Sequence, residues 1–254
     1  MSDETAHDIL LSARGLVRDF GPFRAVDGVD LDVRSGTIHS VIGPNGAGKT
    51  TLFRLLTGIL RPTAGSLEFA GEQLAGRPTH VVARRGIVQA FQTTSIFPRL
   101  TAHESVCAAL VSKHRRSRDL ITWFHRGLAG EASQVLETVG LSDVADEQAR
   151  ALSHGDQRAL EVALALAMSP RLLLLDEPTA GMSPFESHKM VQLVQRLAKE
   201  EQLTVILSEH DMDTVFGISD RVSVMHQGRV LADGPAPEVR RNADVMAIYL
   251  GSEA

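Results

Sequence analysis

Two stretches of this sequence carry residues whose types and spacing could do chemistry on a phosphate. The first is Gly43-Pro44-Asn45-Gly46-Ala47-Gly48-Lys49-Thr50, with Thr51 following. Glycines at 43, 46 and 48 let the backbone curl so that its N–H groups point inward at an anion. A helix starting near Lys49 adds the positive end of its dipole. Lys49 brings an ammonium between the β- and γ-phosphates, and the Thr50 hydroxyl can ligate Mg²⁺. A strand-like segment precedes the loop and a helical one follows. That is the context a phosphate-binding loop for ATP requires.

The second stretch is Asp176-Glu177-Pro178, placed directly after Leu172-Leu173-Leu174-Leu175. A buried strand that ends in two carboxylates delivers them into a ligand crevice. Adjacent side chains on a strand diverge, so the two should have different tasks. Asp176 is placed to hold Mg²⁺, and Glu177 to polarise an attacking water as general base.

The elements that must position these residues follow from periodicity. Val29-Asp30-Leu31-Asp32-Val33 alternates as a half-buried strand, and Thr37 to Ile42 is a strand running into the glycine loop. Lys49 to Leu56 is helical, with a stop at Gly58. Ser66 to Ala70 is a strand, while Thr101 to Val111 and Glu131 to Val139 are helices. The apolar runs Leu172–Leu175 and Leu203–Leu207 fit strands buried on both faces of a parallel sheet. Pro184 to Lys199 is an amphipathic helix between them, which makes a βαβ unit. Val222–Met225 and Val230–Ala232 form a terminal hairpin. Asn242 caps a short helix carrying Val245, Ile248 and Tyr249.

Bulk properties narrow the class. The chain has 254 residues, a hydrophobic content of 43% and a net charge of -5. That balance lacks the basic footprint of a general nucleic-acid binder. The single cysteine, Cys107, rules out an intrachain disulfide. Met1 to Asp8 is polar and acidic, unlike a secretory signal. The longest apolar stretch, Val162 to Met168, is too short to span a bilayer. The chain is expected to be soluble and to reach a membrane only through a partner. The basic run Lys113-His114-Arg115-Arg116-Ser117-Arg118 is either a solvated loop or a contact with a partner or lipid headgroups.

With these motifs in place, the chain resembles the nucleotide-binding subunit of ABC transporters from about Leu10 onward. Leu152-Ser153-His154-Gly155-Asp156 is similar to that family's signature, usually Leu-Ser-Gly-Gly-Gln, with His154 and Asp156 as departures. The resemblance implies an α/β fold. Its parts are a P-loop NTPase (RecA-like) core, an antiparallel β subdomain and an inserted α-helical subdomain. It divides a single domain, 9–254, into a core at 9–92 and 158–235, a helical signature subdomain at 93–157 and a C-terminal extension at 236–254. It also assigns roles residue by residue. Phe20 stacks on adenine, an interaction of roughly 1–3 kcal/mol, and Val26 flanks the same base. Gln92 senses Mg²⁺ and the attacking water, and His210 contacts the γ-phosphate. Ser153 and Gly155 complete the ATP site of a facing subunit, head to tail. Ser183 stands where most members have an aspartate that contacts the partner.

Finer similarity points to a subfamily. Leu152 to Glu161, Ser208-Glu209-His210-Asp211-Met212, Gly217 to Arg221 and the tail from Asn242 to Gly251 resemble importers of branched-chain amino acids. The resemblance implies ATP and Mg²⁺ as cofactors and a pair of integral-membrane permease subunits as partners. A second ATPase subunit, either a homologue or a second copy, and an indirectly linked periplasmic binding protein complete the assembly. The implied location is peripheral, on the cytoplasmic face of the inner membrane. Phe97-Pro98-Arg99-Leu100 is either part of the permease docking surface or an ordinary loop. Lipopolysaccharide-export and urea or amide systems are the rival transport readings.

Overall fold

The computed structural model describes residues 9–90, 97–114 and 128–250, with the side chains of His114 and of 248–250 outside the description. The predicted roles of Gln92, of the basic residues beyond His114, and of the Ile248 and Tyr249 side chains therefore fall outside the described residues.

Two sheets organise the chain. Strands β1 (Ile9–Phe20), β2 (Phe23–Arg34), β4 (Ala64–Phe69) and β5 (Glu72–Gln73) form an antiparallel sheet in the order β2-β1-β4-β5. Strands β3 (Ile38–Ile42), β6 (Ile87–Ala90), β7 (Leu172–Asp176), β8 (Thr204–Ser208), β9 (Arg221–His226) and β10 (Arg229–Pro235) form the second, in the order β10-β9-β3-β8-β7-β6. All neighbours in it pair in parallel except the β9–β10 hairpin. The loops after β3, β7 and β8 therefore leave from the same edge, as the rule for open parallel sheets requires of a ligand crevice.

Strand burial explains the apolar runs. Leu172 and Leu174 of β7 pack into a core shared with the antiparallel sheet and helix α1 (Lys49–Leu56). Leu173 and Leu175 pack into a second core with the helices on the other face. These are α3 (Ala102–His114), α4 (Leu128–Val139), α5 (His154–Leu166) and α6 (Pro184–Lys199). Helix α2 (Thr79–Arg85) precedes β6. Helices α7 (Met212–Ile218), α8 (Ala236–Val239) and α9 (Ala243–Leu250) close a third cluster around Ile42, Val215, Val224 and Val245.

Local chemistry sets the helix ends. Gly58, in the left-handed region at φ +70, follows α1, as expected of a residue just past a helix C-terminus. Ser183 caps α6 in a capping box with Glu186, and Pro184 sits at the first helical position. The Asn242 side chain accepts from the amides of Asp244 and Val245 at the start of α9. Lys113, first of the basic run, is partly exposed and is tied to Glu131 at 3.2 Å and Ser169 at 2.8 Å.

Candidate active site

The segment Gly43–Thr50 connects β3 to α1, as the sequence predicted. Its glycines are forced by space as well as by torsion. A Cβ on Gly43 would stand 2.2 Å from the Met225 carbonyl oxygen, and one on Gly48 2.5 Å from that of Ala25. Gly46 has φ +80 but open space around it. The β9–β10 turn braces the loop, because the Gly228 amide donates to the Ala47 carbonyl at 3.0 Å. This support, from Met225 to Gly228, went unread in the sequence, where His226-Gln227-Gly228-Arg229 signalled only a hairpin.

Helix α1 starts without a side-chain cap and without an acidic residue in its first turn. Helices α5, α6 and α7, by contrast, are capped by Ser153, Ser183 and Asp211. Among the described residues the first amides of α1 thus lack a side-chain acceptor, which is the arrangement that receives a phosphate. Thr50 is exposed in this first turn. Lys49 is almost buried, and its Nζ donates to the Gly43 carbonyl at 2.6 Å and to that of Pro44 at 3.3 Å. Burial pulls the Lys49 ammonium below its ordinary pKa, while the charges of Glu177 and Asp176 act in the opposite sense.

Those two carboxylates diverge at the end of β7. Asp176 is half-buried, and its Oδ1 accepts from the Ser208 hydroxyl at 2.5 Å. Burial raises the Asp176 pKa, against the lowering effect of that hydrogen bond. Glu177 has φ +52, a strained conformation for a residue with a side chain. Its amide donates to the carbonyl and hydroxyl oxygens of Ser208, both at 3.1 Å. Its Oε1 lies 2.6 Å from Nε2 of His210, with both side chains open to solvent. The predicted general base and the predicted γ-phosphate histidine are therefore in direct contact.

Phe20 ends β1 opposite Phe23, with its ring substantially exposed and the Arg18 guanidinium 4.7 Å from the ring centre. Val26 needs correction. It is fully buried in the core beneath the sheet and offers a base no surface. The carbonyl of its neighbour Ala25 stands against Gly48 and Gly228.

The signature-like segment leads into α5. The Ser153 hydroxyl accepts from the Asp156 amide at 3.1 Å and donates to the Asp156 carboxylate at 2.8 Å. The Gly155 amide donates to Oε1 of Glu186 at 3.1 Å, and Oε2 of the same carboxylate accepts from the Ser183 amide and hydroxyl. One glutamate thus ties together the first turns of α5 and α6. These bonds hold the Glu186 carboxyl below its usual pKa, those from Ser183 foremost. His154, at a position where the family has glycine, rests beside Gly181. Phe97 is exposed on a loop pinned by bonds from Ala149 to Leu100 and from Arg150 to Pro98.

The comparisons agree with this geometry. The family model described as ABC transporter matches residues 26–180, and one described as branched-chain amino acid ATP-binding cassette transporter matches residues 229–254. The chain is 42% identical over 255 residues to the high-affinity branched-chain amino acid transport ATP-binding protein BraF of Pseudomonas aeruginosa, covering 95% of this chain and 98% of that protein. It is 40% identical over 252 residues to the high-affinity branched-chain amino acid transport ATP-binding protein LivG of Escherichia coli, with 95% and 98% covered. Among solved structures it resembles the ADP conformation of MJ1267, an ATP-binding cassette of an ABC transporter. The TM-score is 0.83 at 29% identity, over 96% of this chain and 99% of that one. With a family model spanning more than half of its length and relatives above 40% identity over nearly all of it, this chain belongs to the ABC transporter family.

Proposed function

We propose that the protein is the ATP-hydrolysing subunit of an ABC importer for branched-chain amino acids or a similar small polar solute. The observation that carries the importer reading is the match of residues 229–254 to the branched-chain amino acid cassette model. A lipopolysaccharide-export role has no comparable support in that segment.

In this reading Gly43 to Thr51 cradle the phosphates, and Lys49 exchanges its bonds to the Gly43 and Pro44 carbonyls for phosphate oxygens. Glu177 takes a proton from the attacking water, and His210 orients it and faces the γ-phosphate. Phe20 offers its exposed ring to the base. Gln92 keeps its assigned role toward metal and water. Thr50 and Asp176 supply a hydroxyl and a carboxylate, the hard oxygen donors that suit Mg²⁺ when substrate phosphates and water complete the shell. When bound, Mg²⁺ offsets charge on the phosphates.

Ser153 and Gly155 act on the nucleotide of a facing ATPase subunit. The closed pair then drives permease subunits between two orientations, with a periplasmic binding protein delivering solute from outside. The division into a core at 9–92 and 158–235, a helical subdomain at 93–157 and an extension at 236–254 belongs to the same proposal. So does the placement at the cytoplasmic face of the membrane.

The test is co-expression with a candidate permease pair, followed by uptake of labelled leucine and of a labelled small amide into proteoliposomes. ATP-dependent leucine uptake supports the reading. Uptake of the amide alone would reassign the cargo. Co-purification with lipopolysaccharide-export components would overturn the importer assignment.

A further inference from the structure

The end of β8 grips the end of β7 through three consecutive residues. Ser208 holds Asp176 and the amide of Glu177, as described above. His210 meets the Glu177 carboxylate. Between them Glu209 is 5% exposed and uses both its oxygens. Oε1 accepts from the amide of Thr179 at 2.9 Å and from its hydroxyl at 2.7 Å. Oε2 accepts from the amide of His210 at 3.2 Å.

We propose that Glu209 is a positioning residue for hydrolysis, locking the turn after Glu177 to the loop that carries His210. The proposal rests on the reading of Glu177 as general base. The parallel ladder between β7 and β8 ends at Asp176 opposite Ser208. Past the bond from the Glu177 amide to the Ser208 carbonyl, no backbone bond among the described residues joins the two chains, yet Glu177 and His210 meet at 2.6 Å. Glu209 continues the ladder with a side chain, one oxygen for each chain. The strained φ of Glu177 makes the same demand, because such a conformation persists only where its surroundings over-determine it. Ser208 fixes that residue from its amide side, and Glu209 fixes it from the Thr179 side. A nearly buried carboxylate is costly to place, so an apolar residue would serve packing better. What an apolar residue lacks is the pair of acceptors.

The grip extends toward the signature segment. The amide of Ala180 donates to the Glu177 carbonyl, and that of Met182 to the Thr179 carbonyl. Thr179 is thus the link between the carboxylate site and the Ala180–Ser183 loop beside α5.

The experiment uses the full chain and measures ATP turnover, nucleotide affinity and melting temperature. Glu209→Gln keeps one oxygen for Thr179 but turns an amide N–H toward the His210 amide. It should lower kcat at least tenfold while ATP affinity stays within about twofold of wild type. Thr179→Val should lower kcat about threefold, and Glu209→Ala combined with Thr179→Val should be no slower than Glu209→Ala alone. If Glu209→Ala does not fold, Glu209→Gln and Thr179→Val carry the test. A wild-type kcat in Glu209→Gln overturns the proposal, as does a loss confined to affinity, or losses that multiply in the double variant. Glu177→Gln, measured alongside, separates the two failures. A wild-type rate there overturns the base assignment. Its inactivity beside an unaffected Glu209→Gln overturns only the positioning role.

Discussion

Nε2 of His210 and Oε1 of Glu177 lie 2.6 Å apart at the ends of neighbouring parallel strands. The imidazole therefore fixes the direction of the carboxylate proposed to receive a proton. Replacing it leaves that carboxylate free to rotate and removes the group proposed to face the γ-phosphate. His210→Ala should reduce kcat on the order of 10²-fold, the lower range for a positioned acid–base group. ATP affinity should change little, as a fluorescent-nucleotide titration would record. A matched loss of affinity would count against this division of labour.

Lys49 has its ammonium nearly buried and bonded to loop carbonyls. Charge-assisted bonds to phosphate are worth about 1.5–3 kcal/mol each. Lys49→Ala should therefore weaken ATP binding by at least about tenfold and cut the rise in melting temperature that ATP produces to about half or less. Retention of that rise would remove Lys49 from the nucleotide site.

The loop glycines separate torsional strain from collision. Gly46→Ala meets open space and should cost about 1–2 kcal/mol for its positive φ alone. Gly48→Ala meets the Ala25 carbonyl at 2.5 Å, so backbone displacement adds about 1–3 kcal/mol to a similar strain. Urea denaturation of both variants checks the order. Equal losses would show that the brace from β2 yields freely.

His39 gives a pH prediction. It is buried, with Nε2 2.7 Å from the Ser223 hydroxyl, and burial pushes its pKa down to about 4 although Asp233 pulls the other way. The unfolded chain takes up this proton near pH 6.5, and the native state takes it up only near pH 4. The contribution is intact above pH 6.5 and is lost progressively as pH falls toward 4. The loss amounts to about 3 kcal/mol at most. Denaturation midpoints between pH 7 and 4 should fall less steeply in His39→Asn than in wild type. Parallel slopes would exclude His39 as the source.

The sequence was most legible where one physical demand dominated. Helices α1 and α6 begin and end where their apolar spacing and stop signals put them. Strands β7 and β8 were readable because both faces are buried. Strand β1 was not read at all. Arg14, Gly15, Arg18 and Asp19 interrupt its pattern, and its pairing with β2 shifts register repeatedly. Val26 took its role from resemblance alone, and the alternation read at Val29 to Val33 did not extend to it to reveal its burial. Glu186 did have a signal, because Ser183-Pro184-Phe185-Glu186 has the spacing of a capping box. Its reach to Gly155 did not, since that contact joins residues 31 apart. Glu209 likewise had no signal, because Thr179 meets it only across the sheet edge.

The uncapped start of α1 has a consequence for the stability of the protein. Donors that the chain does not satisfy with its own side chains make nucleotide a structural component as well as a fuel. At a hundredfold excess over Kd, a ligand confined to the native state stabilises it by about 2.7 kcal/mol. A subunit with nucleotide bound is thus better protected against unfolding than one without it. The same eight residues that prepare the chain for work also tie its stability to nucleotide.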